Sequence, residues 1–229
     1  MFDAVPAFGR GKPNLSVTCK QRGGSKDFRS EMEEAWETVY PSVRARMDML
    51  LTSSQPVVFE GTGVVWCSKI GWFFAQIARL FGAPLLWKQG KNVTIRVTVA
   101  PTKDNSRCWQ RDYVFPDGAC QRVSTSKVID ERLGFIDAVG AEGERLLATK
   151  MQVWAEGKSL FFASSAYFLR FKYFNLLLPA LFTPGRLFAE HRDLGNGYFQ
   201  YTIKFTHPLW GATFFQDGVF RRVAFATQP

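Results

Sequence analysis

Asn92-Val93-Thr94-Ile95-Arg96-Val97-Thr98-Val99 decides the fold class of this 229-residue chain. Val93, Ile95, Val97 and Val99 alternate with polar side chains, the signature of a β-strand with one buried face and one wet face. Downstream the same period of two recurs in short segments separated by turn residues. Residues 107–115 return after a turn at Asp104-Asn105. Pro116-Asp117-Gly118 is a hairpin signal leading into residues 119–129. Further strands are expected over 131–139, 146–155 and 160–173, with turns at Glu142-Gly143 and Glu156-Gly157. Residues 175–183, with Pro179 and then Pro184, break the pattern. Residues 187–193 and 198–205 form a hairpin across Gly195-Asn196-Gly197. Residues 213–223 close the sheet, with Gly218 assigned to a bulge.

Upstream the period is helical. Ser30-Glu31-Met32-Glu33 fits a capping box, and Met32, Ala35, Trp36, Val39 and Tyr40 fall on one helical face. Pro41 ends or kinks that helix, and Val43, Met47, Leu50 and Leu51 mark a second. Residues 56–67 read as a strand. Ser68 then caps a helix whose apolar side carries Ile70, Phe73, Phe74, Ile77, Leu80 and Phe81, with Gly82 and Pro84 as its stop. Residues 1–26, rich in Gly, Lys and Arg, read as a flexible leader before a single domain at 27–229. The expected architecture is α+β, mainly β: a strongly curved antiparallel sheet or open barrel of about nine to ten strands. Helices precede it, and one is inserted after the first strand.

Composition narrows function only by class. The formal charge is +9, with 22 Phe among 46% apolar residues. Such a basic balance favours acidic partners, but Lys and Arg do not track one helix and no nucleic-acid module is present, so nucleic acid is not expected. Cys19, Cys67, Cys108 and Cys120 form no CxxC pair, and with two histidines no metal spacing exists. Neither a metal nor a cofactor is implied. Residues 1–8 lack a basic stretch followed by an apolar run, and the apolar stretch 160–182 is interrupted by Arg170, Lys172, Asn175 and Pro179. A cytoplasmic location is expected, with peripheral membrane contact as the alternative.

Several motifs in series resemble a known family. Tyr40-Pro41-Ser42-Val43-Arg44 is followed by Phe59-Glu60-Gly61-Thr62-Gly63-Val64 and by Ala78-Arg79-Leu80-Phe81-Gly82-Ala83-Pro84. Trp109-Gln110-Arg111-Asp112-Tyr113, Asp130-Glu131-Arg132-Leu133-Gly134, residues 178–184 and Pro208-Leu209-Trp210-Gly211 come next. Over about residues 38–225 the chain resembles a bacterial-type domain of unknown function, number 4166, often fused C-terminally to saccharopine-dehydrogenase-like domains. The resemblance implies one β-rich domain, no established chemistry, and a dehydrogenase-like protein as a candidate partner.

Candidate site residues follow from residue type and strand parity. Trp109, Arg111 and Tyr113 share one strand face, where an arginine beside aromatic rings suits an anionic head group. Arg96 and Arg170 are the other cations placed to meet such a group, and Tyr167 and Phe171 belong to the densest aromatic strand. These seven are the expected ligand-binding set. Glu131 and Glu190 lie in otherwise apolar strands and are the candidates for an acid or base. His191 follows Glu190 directly, so the two point to opposite faces and form no local dyad. Gly61-Thr62-Gly63 lacks the features of a nucleotide loop and reads as close strand packing. The functional expectation is an apolar cavity holding a small hydrophobic ligand, lipid-, isoprenoid- or polyketide-like and anionic at one end. The alternatives are an isomerase- or cyclase-type enzyme using a carboxylate in that cavity, and an accessory domain on a dehydrogenase-like partner or a membrane face.

Overall fold

A computed structural model describes residues 29–223 apart from 81, 83–84, 103–105 and 140–145. The leader, the turns at Asp104-Asn105 and Glu142-Gly143, and Phe81 and Pro84 at the helix stop lie outside the described residues.

Eleven strands form one antiparallel sheet: β1 (Val57–Cys67), β2 (Gly90–Pro101), β3 (Arg107–Val114), β4 (Cys120–Asp130), β5 (Gly134–Val139), β6 (Leu147–Glu156), β7 (Ser159–Arg170), β8 (Asn175–Leu178), β9 (Arg186–Gly195), β10 (Tyr198–His207) and β11 (Gly211–Val223). Their order is β6-β5-β4-β3-β2-β1-β11-β10-β9-β7-β8, and a further β6–β7 pairing closes ten of them into a barrel with β8 as an extra strand. Full closure removes the exposed edges that an open sheet would present. β8 is a correction to the sequence reading, which left 175–178 outside any strand. It forms because β7 runs past its pairing with β9, which spans only Ser159–Ala163, so Tyr167–Arg170 find a hydrogen-bonding partner in Asn175–Leu178.

The opening strand does what its alternation requires: Val93, Ile95, Val97 and Val99 are buried inside the barrel, while Arg96 faces out. Glycines tighten the β1–β11 seam. A Cβ on Gly61 would stand 2.2 Å from the Val219 carbonyl oxygen, and one on Gly63 equally close to that of Asp217. Gly218 pairs with Gly63 in unbroken register, so it is not at a bulge. The register shifts lie instead at Gly63/Val65, at Phe205/Thr206, at Tyr198/Phe199 and at Lys150/Met151.

The N-terminal helices plug one end. A turn of helix, α1 (Arg29–Met32), runs into a 3-10 segment (Glu33–Thr38), and α2 (Pro41–Thr52) follows with Pro41 at its first position, where a missing N–H costs nothing. The 3-10 winding explains why Met32, Trp36 and Val39 are buried while Ala35 is exposed, contrary to the single α-helical face expected. The capping-box side chains of Ser30 and Glu33 lie outside the described set. α2 buries Val43, Met47 and Leu50. Arg107 on β3 donates to the carbonyls of Ser53 and Leu51, tying the C-terminus of α2 to the wall.

α3 (Lys69–Leu80) covers the opposite end, the rim where β1, β3, β5, β7 and β10 finish. Ser68 caps it as expected, its Oγ accepting from Gly71 N at 3.0 Å. The packed face differs from the sequence reading. Gly71, Phe74, Ala75 and Ala78 are buried, while Phe73 and Leu80 are 53% and 84% exposed. A Cβ on Gly71 would lie 2.1 Å from the Thr213 carbonyl oxygen, so the small-residue side is what lets the helix approach the sheet. Trp72, Phe73 and Leu80 are thereby turned outward.

Candidate functional site

Between the α2 plug and the α3 cover lies an internal cavity of about 100 Å³. Its walls near the cover are apolar, with Leu86, Val123, Met151, Phe162, Ile203 and Phe214 among them. A smaller void of about 20 Å³ sits beneath, against α2, and Arg111 borders both.

Strand parity places polar groups inside this lining. Arg111, opposite Val97 and Val123 in the ladder, points inward from β3 and is 5% exposed. Its Nη1 donates to Thr125 Oγ1 at 3.4 Å, its guanidinium carbon lies 6.0 Å from the Tyr201 ring centroid, and its Nε has no hydrogen-bond partner. Burial opposes its charge, but Tyr201, Tyr113 and Asp137 around it reverse that effect, so its pKa is raised and the side chain stays cationic.

A second polar row crosses four strands, with Lys127 opposite Asp137, Asp137 opposite Thr149 and Thr149 opposite Tyr167. Lys127 Nζ meets Asp137 Oδ2 at 3.2 Å, while Asp137 Oδ1 is buried without a partner. The Lys127 ammonium also lies 5.3 Å from the Trp109 ring centroid and 5.7 Å from that of Phe162. Across the barrel, Tyr113 donates to Gln216 Oε1 at 2.6 Å, and the Gln216 Nε2 is unpaired. Burial raises the pKa of Tyr113 and of Tyr167, so both remain neutral donors, Tyr167 to the Gly185 carbonyl. Orphaned buried polar atoms are uncommon and costly, and here the arginine Nε and the Asp137 oxygen share one cavity.

Beneath them, His191 is buried and stacked on Phe199 at 4.3 Å. Arg46 of α2 donates from Nη1 to His191 Nε2 at 2.8 Å and from Nη2 to Asp193 Oδ1 at 2.9 Å. Burial first, and the Arg46 charge second, push the His191 pKa down to about 3, against a smaller opposing effect from Asp193. The imidazole is therefore a neutral acceptor that anchors α2 as the plug.

Of the residues singled out in the sequence, Trp109, Arg111, Tyr113 and Tyr167 are brought together inside the barrel. The others are not. Arg96 is on the outer wall, paired with Glu60. Arg170 pairs with Asp130 on the outside. Phe171 follows the end of β7 and stacks on Phe174 at 4.7 Å, 44% exposed. Glu131 is not in a strand at all, but exposed in the β4–β5 turn. Glu190 faces away from the interior and accepts from Ser159 Oγ at 2.6 Å. Neither glutamate can act in the cavity. The aromatic load divides: Phe162, Tyr167 and Phe214 reach the cavity, while Trp154, Phe161 and Phe188 stack on one another on the outer wall.

Sequence reasoning missed Lys127, Asp137, Gln216 and Arg46. Asp137 carried a legible signal, a lone carboxylate in the apolar run Phe135-Ile136-Asp137-Ala138-Val139. Among the described residues no three His, Cys, Asp or Glu side chains converge to hold a metal ion.

Fold and site together define a closed antiparallel barrel with a helix-plugged floor and a mixed, partly unsatisfied polar cluster above it. A family model for a domain of unknown function (DUF4166) matches residues 40–220, and the chain belongs to that family. No curated protein and no solved structure matches it.

Proposed function

We propose that the barrel binds a small apolar molecule bearing a carboxylate or similar anionic group, with that group against Arg111 and the apolar part toward α3. The observation that carries this is the buried Arg111 guanidinium, with an unused N–H, in a cavity whose polar side meets an apolar wall toward α3. The Lys127–Asp137 pair neutralises itself. Among the described residues Arg111 has no carboxylate at ion-pair distance: Asp137, which helps hold it cationic from further away, is itself bound to Lys127, so a ligand carboxylate would be its direct counter-ion. Asp137 Oδ1 offers an acceptor beside it for a hydroxyl or acid proton.

Size limits the occupant. An engineered apolar cavity of roughly 150 Å³ is known to hold benzene. A cavity of about 100 Å³ therefore receives a short chain or part of a ring, with any longer tail passing under α3.

The test is calorimetric titration with octanoate and with octanol. Octanoate should bind more tightly, and Arg111→Met should erase the difference. A hydrogen bond to a charged group is worth about 1.5–3 kcal/mol, or roughly 10- to 150-fold in Kd. Equal binding of acid and alcohol, or binding unchanged in the variant, refutes the proposal.

A further inference from the structure

Most of the exposed large apolar side chains gather at one end of the barrel. Trp72 and Phe73 on α3, Leu181 and Phe182 before β9, and Leu209 and Trp210 in the β10–β11 turn are between 48% and 71% exposed. All belong to segments at the α3-covered rim, since β1 and β10 end there and β9 and β11 begin there. Thr213 Oγ1 donates to the Pro184 carbonyl, and Trp210 stacks on His207, which in turn meets Phe74 of α3, so the three segments are contiguous. Monomeric surfaces rarely gather apolar groups this way without a partner.

The segments that carry these rings are basic, although Lys88 is paired with Asp117 of the β3–β4 turn at the same rim. Residues 68–91 contain Lys69, Arg79, Lys88 and Lys91 and no carboxylate. Residues 171–186 contain Lys172 and Arg186 and again none. Tryptophan and phenylalanine among lysine and arginine suit the boundary between lipid head groups and acyl chains, where rings bury shallowly and cations meet anionic lipid. A second copy would set these cations against their own kind. The outer barrel wall carries Glu60, Arg96, Asp112 and Arg122 in ion pairs, unlike the apolar band of a spanning barrel. Among the described residues no helix is long and apolar enough to cross a membrane.

We infer that this rim docks peripherally on an anionic lipid surface, with α3 lying at the interface and the cavity beneath it. Gly71 and Ala75 of α3 line that cavity, so docking places its entrance against the bilayer. The contact itself does not depend on what the cavity holds.

The test is sedimentation of the whole chain with phosphatidylcholine vesicles, with and without roughly 30 mol % phosphatidylglycerol. The protein should pellet with the anionic vesicles, with indole emission shifting to the blue, and high salt should weaken binding. Phe73→Ser with Phe182→Ser, and separately Lys69→Glu with Arg186→Glu, should each lower partitioning by about tenfold or more. Leu194→Ser with Tyr198→Ser, at the plugged end, should leave it unchanged. Arg111→Met should pellet like the parent protein, separating failure of docking from failure of ligand binding. Three results would overturn the inference: the parent protein staying in the supernatant, the plugged-end variant losing as much as the rim variants, or the rim variants abolishing self-association while vesicle binding persists.

Discussion

Acidification should loosen the α2 plug, and the size of the effect follows from one side chain. His191 has an ordinary pKa of 6.5 when unfolded and about 3 in the folded barrel. The folded value is depressed, so the unfolded chain takes up the proton first, and stability falls as pH drops below 6.5. Between pH 7 and pH 5 this linkage costs about 2 kcal/mol, and the figure barely depends on the folded pKa provided it lies below 5. That is a sizeable share of the roughly 5–15 kcal/mol typical of a domain. The structural cause is specific. Arg46 donates to the Nε2 that the proton would occupy, and Phe199 and the barrel floor exclude water. Asp193, on the same strand, and Arg111, across the small void, are the other charges nearby. Urea unfolding at pH 7, 6 and 5 measures the effect. His191→Gln, which keeps an acceptor for Arg46, should flatten the dependence. Parallel curves for parent and variant, or a His191 ring that titrates by NMR above pH 5, would refute the argument.

Arg46→Met should destabilise the fold by about 3 kcal/mol or more in urea titration, because Asp193 is left buried without its cation. Gly71→Ala should cost about 1–3 kcal/mol in thermal unfolding, since the new methyl meets backbone oxygen rather than a yielding side chain, and ligand exchange should quicken as α3 lifts. Burial pushes the Cys67 thiol up to about 11, so iodoacetamide at pH 8 should modify exposed Cys120 well before Cys67 by mass spectrometry. A cavity ligand should slow the Cys67 reaction further, because that thiol lines the cavity.

The barrel was legible because alternation and turn chemistry are local signals. Val93 to Val99 declare an inward and an outward face by parity alone, and the same parity put Trp109, Arg111 and Tyr113 on one side. Which side that was could not be read, since an arginine flanked by aromatic rings suits a wet face or an interior equally well. Only closure of the sheet, through the β6–β7 pairing between chain-local neighbours and the β1–β11 pairing between distant ones, decides it. Lys127 and Asp137 escaped notice for the same reason: each is tolerable inside only because the register sets it opposite the other. Glu131 and Glu190 misled because position in an apolar stretch says nothing of turn or face. On α3, size suggested that Phe73 and Leu80 face inward, whereas the close approach to Thr213 selects the glycine–alanine side.

The short β7–β9 ladder has a consequence for what the barrel can admit. Beyond Ala163, among the described residues, β7 and β9 are joined directly by the Ser164 hydroxyl accepting from Leu187 N and by Tyr167 reaching the Gly185 carbonyl, with β8 laid along the free edge of β7. A cylinder fastened along half its height at one seam can widen there by giving up two side-chain clasps, with every other ladder intact, and such local opening costs far less than unfolding. Molecules bulkier than the resting void would then enter sideways between these two staves, and amide exchange should be fastest along that slit.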